Sequence, residues 1–361
     1  MVFYGGTWLF PYFYHITEIY NTSIIFVICA ILFFNNIDWW EKLKKRDIEL
    51  YVLGFTVLLA LVNLFLIGSN KGCILIVTDF LLIWYMSNQI HFTGRQMTVL
   101  SVFFFAVFFV WFCYDLAFRY NSNTGATVTV FTFFCAMIFL GRLSAKREIY
   151  GLLIVLAVIR TINLVLWHLA RGAFLALALF LVFYYLLPRK LWEKKYLYRF
   201  LCIFATAGSL LFVIIYVTLS QTGFNFEMPF FYKNLFSGRE QIWLEIWNML
   251  KNHLLTGIGS GYQLESFFEY NIHNVMYDIM AVHGLPVFAG SLFLILRRLF
   301  SMEGLLKKNA VKVCAASALF AIFLESFIDM DLMWANYSPV LLFLLLVIFA
   351  ENGAQKEKVG S

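Results

Sequence analysis

From residue 22 to residue 350 the chain is a succession of apolar runs, most of them roughly 15 to 22 residues long, separated by short charged or glycine-containing breaks. Runs of that length cross a hydrocarbon layer as helices, because a transmembrane strand is about half as long and alternates apolar with polar residues. In lipid every backbone N–H and C=O needs an internal partner, and a helix supplies it within one segment. The expected fold class is all-α, a polytopic transmembrane helical bundle. Composition agrees: 62 % of the 361 residues are hydrophobic and 13 % charged, where a soluble domain is about 25 % charged.

The runs lie at about 22–37, 50–68, 73–90, 97–118, 126–141, 149–168, 172–187, 200–219, 275–296, 310–328 and 338–350. Basic residues crowd alternate loops: Lys42, Lys44, Lys45 and Arg46; Arg95; Arg142, Lys146 and Arg147; Arg189, Lys190, Lys194, Lys195 and Arg199; Arg297, Arg298, Lys307, Lys308 and Lys312; Lys356 and Lys358. The positive-inside rule makes that set cytoplasmic. The other loops, around Lys71, Arg119 and Arg171, the segment 220–274 and the stretch from Asp329, then face outside. Residues 1–361 read as one integral membrane domain with one large extracytoplasmic loop, 220–274. The apolar start has no basic n-region and no small-residue cleavage site, so it is not read as a removable signal peptide. If residues 1–20 also cross, there are 12 spans with both ends inside; otherwise there are 11, with the N-terminus outside.

The formal charge of +6 resides in these short loops, which is a topology signal and not a nucleic-acid surface. Six cysteines, Cys29, Cys73, Cys113, Cys135, Cys202 and Cys314, sit in apolar runs without metal-ligand spacing and are read as small core hydrophobes. No cofactor and no metal site is expected: no metal-ligand cluster, glycosidase-type carboxylate pair or phosphate loop beside a lysine occurs.

The 220–274 loop is long for a compact chain, and loops of that length carry function. Within it, Ser237 to Glu240 reads as a capping box that starts a helix at Gly238 or Arg239. Ile242, Trp243, Ile246, Trp247, Met249 and Leu250 then form one face, opposite Arg239, Gln241, Glu245, Asn248, Lys251 and Asn252. Such a helix should lie along the membrane surface. The GIGSG stretch, with Gly257, Gly259 and Gly261, ends it and allows close backbone approach to a ligand.

Arg239, beside Gly238 at that helix start, combines a guanidinium fork with free backbone amides, a combination suited to phosphate or carboxylate. The alternative is an ion pair with Glu240 or Glu245, or snorkelling to headgroups. Arg160 and Arg171 lie in or beside apolar runs, where an unpaired arginine is costly. Arg160 either contacts ligand or balances Glu325 or Asp79. His273 suits general-base chemistry near neutral pH, and Arg171, Arg239 and His273 map to one side of the membrane. A cationic pocket with a base is what a diphosphate leaving group and an acceptor hydroxyl need. Asn274 and His168 flank these positions, while His15, His91, His253 and His283 carry no distinguishing signal. Glu325, Asp329 and Asp331 either bind a sugar hydroxyl, orient an arginine, or are solvated.

Three elements resemble the O-antigen ligase and polymerase superfamily of bacterial membrane glycosyltransferases. Arg171-Gly172-Ala173-Phe174-Leu175 is similar to its Arg, any three, Leu element. GREQIW from Gly238 to Trp243, followed by HLLTGIGSG, is similar to its Gly-Arg, Ile-Trp and Gly-x-Gly signature. HNVMYDIMAVHGLPV from His273 is similar to its His-Asn, any nine, Gly, x, x, Gly element, with Gly284 matching, Val287 in place of the last glycine, and Gly290 three further on. The elements span roughly residues 165–295.

The resemblance implies a multi-pass protein of the bacterial inner membrane whose active site faces the periplasm. It implies a polyprenyl diphosphate-linked oligosaccharide as substrate, membrane lipids as surroundings, and other polysaccharide-assembly membrane proteins as partners. Arg171 and Arg239 would hold the diphosphate, and His273 would orient or deprotonate the acceptor hydroxyl. Arg160, Gly238, Asn274, Gly259, Gly261 and His168 would line the substrate. The implied activity is polymerisation of repeat units without a metal. The alternatives are a ligase passing glycan to lipid A core, or a transporter that binds the same substrate in transit; no internal repeat of the transporter kind is present.

Overall fold

The computed structural model describes residues 11–90, 92–113, 122–187, 189–224, 226–228, 231, 233–265, 271–306 and 309–350. Residues 1–10, His91, Arg119, Lys307, Lys308, Lys356 and Lys358 lie outside them. The chain folds as the apolar runs require, into helices with almost no strand. In order these are α1 (Pro11–Asn36), α2 (Trp39–Lys44), α3 (Ile48–Ile67), α4 (Lys71–Met86), α5 (Gly94–Cys113), α6 (Ser122–Ser144), α7 (Gly151–Trp167) and α8 (Arg171–Leu181). They continue with α9 (Arg189–Glu193), α10 (Lys195–Thr206), α11 (Gly208–Gln221), α12 (Arg239–Leu250), α13 (Val275–His283), α14 (Leu285–Ser301), α15 (Ala310–Glu325) and α16 (Ser338–Phe349). A two-stranded hairpin, β1 (Glu227–Met228) and β2 (Lys233–Asn234), pairs Glu227 with Asn234 and Met228 with Lys233.

Among the described residues, Ile48–Ile67, Asn123–Ser144 and Glu148–Trp167 are each long and apolar enough to cross a membrane alone, and α10 with α11, bent by 55°, are long and apolar enough only when taken together. Shorter apolar helices, such as Gly72–Met86 and Gly94–Val110, fill the rest of the bundle. Residues 11–20 form no separate span, because α1 runs through them without interruption. Helix starts follow local chemistry: Asp47, Asn70 and Asn309 each accept hydrogen bonds from the free amides of the turn they precede.

The expected continuous span 275–296 is broken. Gly284 adopts φ 86° between α13 and α14, and a Cβ there would lie 2.4 Å from the Leu255 carbonyl oxygen. The backbone groups freed by the break are paired elsewhere. Leu285 N donates to Leu254 O (2.7 Å), Ile258 N to Ala281 O (2.8 Å), and the Asn63 side chain to His283 O (2.7 Å). Satisfaction of this kind permits an irregular backbone at membrane depth. Val287 is fully buried, and Gly290 brings α14 against Thr56 of α3, so close packing in this element rests on Gly290.

One end of the bundle carries the basic network. Buried Arg298 donates to the Trp84 and Tyr85 carbonyls and pairs with Glu49, which also takes Arg297, while Arg199 pairs with Glu303. The opposite end holds the α7–α8 turn, the end of α11, the start of α13 and the end of α15. Four of the cysteines are buried as expected, whereas Cys73 is half-buried and Cys113 exposed, because each sits near a helix end.

Candidate functional site

At that opposite end, α12 begins where the sequence places it, though its cap differs. Gly238 is the N-cap at φ 91°, and the Glu240 carboxylate accepts from its amide (3.1 Å). Ser237 does not cap the helix; its hydroxyl accepts from the Arg239 guanidinium (2.8 Å). The helix does not rest its whole apolar stripe on one surface. Trp243 is buried, its ring nitrogen donates to the Ile272 carbonyl, and Tyr277 donates to the Trp243 carbonyl (3.0 Å). Trp247, one turn on, is 46 % exposed. Packing on α11 and α13 therefore orients the helix, and it projects Arg239 inward.

Arg239 reaches Asp329, with 3.9 Å between nitrogen and carboxylate oxygen. The other oxygen of Asp329 lies 3.5 Å from His273 Nδ1. His273 occupies the left-handed region (φ 54°) just before the start of α13. Its neighbour Asn274 is wholly buried and serves as a tie. Asn274 Oδ1 accepts from Ser209 Oγ (2.7 Å) and Tyr277 N (2.9 Å), and its amide donates to the Phe327 carbonyl (2.9 Å). Asn274, expected to line the substrate, has no exposed surface and holds the frame on which His273 and Asp329 sit.

Arg171, the first residue of α8, lines the same cavity of about 400 Å³ as Arg239 and Asp329, and the two arginines lie close enough for their charges to repel. Its guanidinium donates to the Asn234 carbonyl of the hairpin, whose Met228 and Phe231 roof the cavity. Phe231 sits edge-on to Phe174 of α8 (5.4 Å), and Tyr216 of α11 donates to the Leu235 carbonyl (2.9 Å). Gly172 faces the cavity on one side and Glu325 on the other; a Cβ there would meet Glu325 Oε1 at 3.0 Å, so a small residue is needed after Arg171.

Glu325, Asp329 and Asp331 present carboxylate oxygens within 4.8 Å of one another. Burial raises the Asp329 carboxyl, but the hydrogen bond and charge of His273 and the charge of Arg239 outweigh it and hold the group below its usual range. Asp331 moves the other way, raised well above the ordinary range by burial and by the charge of Asp329. Asp329 is thus the anion that joins the arginine to the histidine. Its place was not legible in the sequence beyond its lying on the same side as Arg239, one turn past the end of α15.

Arg160, Gly238, Gly259, Gly261 and His168 are not among the residues that line this cavity, although Gly238 adjoins Arg239 and His168 ends α7 just before the turn to Arg171. Arg160 donates to Asn163 (3.0 Å) about 12 Å along α7 from the site end. It balances neither Glu325, whose oxygens have no hydrogen-bond partner and whose charged neighbours are Asp331, Asp329 and Arg239, nor Asp79. Gly257 and Gly259 lie past the end of α12, which stops at Leu250. A Cβ on Gly257 would strike the backbone of Val282 and Gly284, and one on Gly259 would strike Ile67 and Ser69. Gly261 has open space around it, beside Ser260, whose hydroxyl accepts from Asn70 N (2.6 Å). The GIGSG stretch thus braces the α13–α14 break and the end of α3 and does not approach Arg239. His168 is buried at the end of α7.

The fold and this end of it define an integral membrane protein of α-helices, with two arginines and an aspartate around one cavity and a histidine beside the aspartate, at the end remote from its basic clusters. Residues 156–292, the segment that holds Arg171, Arg239 and His273, match the family model described as O-antigen ligase. No curated protein and no solved structure matches the chain.

Proposed function

We propose that the protein is a glycosyltransferase of the bacterial inner membrane, its site facing the periplasm, that joins polyprenyl diphosphate-linked oligosaccharide repeat units into a polysaccharide. The observation that carries this reading is the cavity shared by Arg171, Arg239 and Asp329, with His273 on the far side of Asp329. Two guanidinium groups meet the charge that develops on the diphosphate as the anomeric C–O bond breaks and its electron pair leaves with phosphate. Asp329 faces His273 Nδ1, which leaves Nε2 to take the proton of the acceptor hydroxyl as its oxygen bonds to the anomeric carbon. The apolar walls from Ala173, Phe174, Phe212 and Leu235 suit the first isoprene units of the lipid. Alternation of the basic loops supports the orientation.

The test is a reaction of purified protein in nanodiscs with a polyprenyl diphosphate-linked repeat unit, with and without EDTA. A ladder of products is expected in both, and its loss in His273→Ala and Arg239→Ala with the proteins still inserted. A ladder from either variant removes that residue from the reaction. The family description favours a second reading, a ligase: transfer only after lipid A core is added would establish it and sink the polymerase. Other membrane proteins of polysaccharide assembly are the partners this reading implies.

A further inference from the structure

On the face of α12 turned away from the arginine cavity lies a second cavity of about 420 Å³, between that helix and the end of α11. Ser220, Gln221, Glu240 and Gln241 line it, together with the rings of Phe224 and Phe236. The side-chain amides of Gln221 and Gln241 have no hydrogen-bond partner among the described residues, and Glu240 uses one carboxylate oxygen on Gly238 N. No lysine or arginine is among the lining residues. Phe236 is also its wall towards the first cavity, since its ring packs on Tyr216 (4.8 Å), which lines that cavity, and Glu240 follows Arg239 directly.

Each class of occupant makes a different demand on such a lining, and only one is met. A phosphate needs cations and is repelled by Glu240. An isoprenoid or acyl tail would strip water from two amides and a carboxylate with nothing in return. A neutral sugar meets all of it: its hydroxyls pair with amides and carboxylate, and its C–H faces lie on aromatic rings. We propose that this cavity is a saccharide subsite, taking neutral sugar residues of the glycan adjoining the reacting end. The proposal rests on the glycosyltransferase reading for the glycan's identity, and on the cavity's own lining for the class of ligand.

The probe is the lipid-free oligosaccharide released by mild acid from the host's polyprenyl diphosphate-linked repeat units, added to the full-length protein in nanodiscs and followed by saturation-transfer NMR. Saturation should pass from the aromatic rings to the sugar C–H protons. Gln241→Ala and Phe224→Ala, both at exposed positions, should each weaken binding about tenfold. Unchanged binding in a Gln241→Ala, Phe224→Ala double variant overturns the subsite. So does a protein that polymerises its lipid-linked substrate yet binds no free saccharide. Failure of the glycosyltransferase reading is separate, since it shows as product formation untouched by His273→Ala whatever the saccharide does.

Discussion

Asn274→Ala is the substitution whose effect is most fully determined by the structure. The side chain has no exposed surface and makes three hydrogen bonds of 2.7–2.9 Å, to Ser209 of α11, Tyr277 N in α13 and the Phe327 carbonyl just past α15. Alanine leaves all three partners buried and unpaired, each at about 1–3 kcal/mol, so even the low end sums to about 3 kcal/mol. Water cannot readily substitute in so enclosed a place. Asn274→Asp keeps the acceptor for Ser209 and Tyr277 but loses the donor to Phe327 and buries a charge against a carbonyl, so it should be no milder. The assay is heating in detergent followed by size-exclusion of the surviving monodisperse protein. Asn274→Ala should melt well below both the unaltered protein and His273→Ala. Equal midpoints for Asn274→Ala and the unaltered protein would refute the reasoning. Below its melting range the variant should still lose activity, because the same side chain sets His273 and Asp329 at their spacing.

Arg171→Lys should lower the rate about 10- to 100-fold in the product-ladder assay, since an ammonium replaces a planar fork with a point charge. Asp329→Asn should impair the reaction at every pH. It should also remove an acid-side loss of stability: a carboxyl held below its usual range in the fold stabilises above the ordinary aspartate value, and that contribution disappears as pH falls through the folded value. Asp331 has the opposite sign. Its raised value in the fold destabilises as pH climbs from the ordinary aspartate range through the folded one, so Asp331→Asn should raise the melting midpoint at neutral pH and leave it unchanged in acid. Gly284→Ala combines the cost of a backbone region essentially reserved for glycine (φ 86°, ψ 165°), roughly 1–3 kcal/mol, with a Cβ 2.4 Å from a backbone oxygen, and should yield little monodisperse protein on extraction.

The helices and their order were legible in the sequence, because hydrocarbon thickness and the need to pair every backbone group leave long apolar runs one solution. The capping-box pattern from Ser237 to Glu240 placed the start of α12 at Gly238 or Arg239, although Ser237 does not cap it. Where a contact crosses between elements, the local pattern carried no comparable signal. Trp243 and Trp247 look alike in sequence, yet one is sealed against α11 and α13 and the other faces out. Gly284 matched a motif position without showing that it breaks a span, because the break depends on the 254–259 backbone arriving to pair with it. Asn274, which the sequence offered as a substrate residue, is a buried strut, and Arg160, offered as a ligand contact or as the partner of Glu325 or Asp79, bonds to Asn163. Asp329 shows the division most clearly: residue type and membrane side were available from the chain, but its pairing with Arg239 and His273 exists only because the fold brings the start of α12, the residue before the α13 cap and the turn after α15 together. Side-chain partnership is a property of three-dimensional distance, and the sequence by itself determined only which residues would reach that end of the bundle.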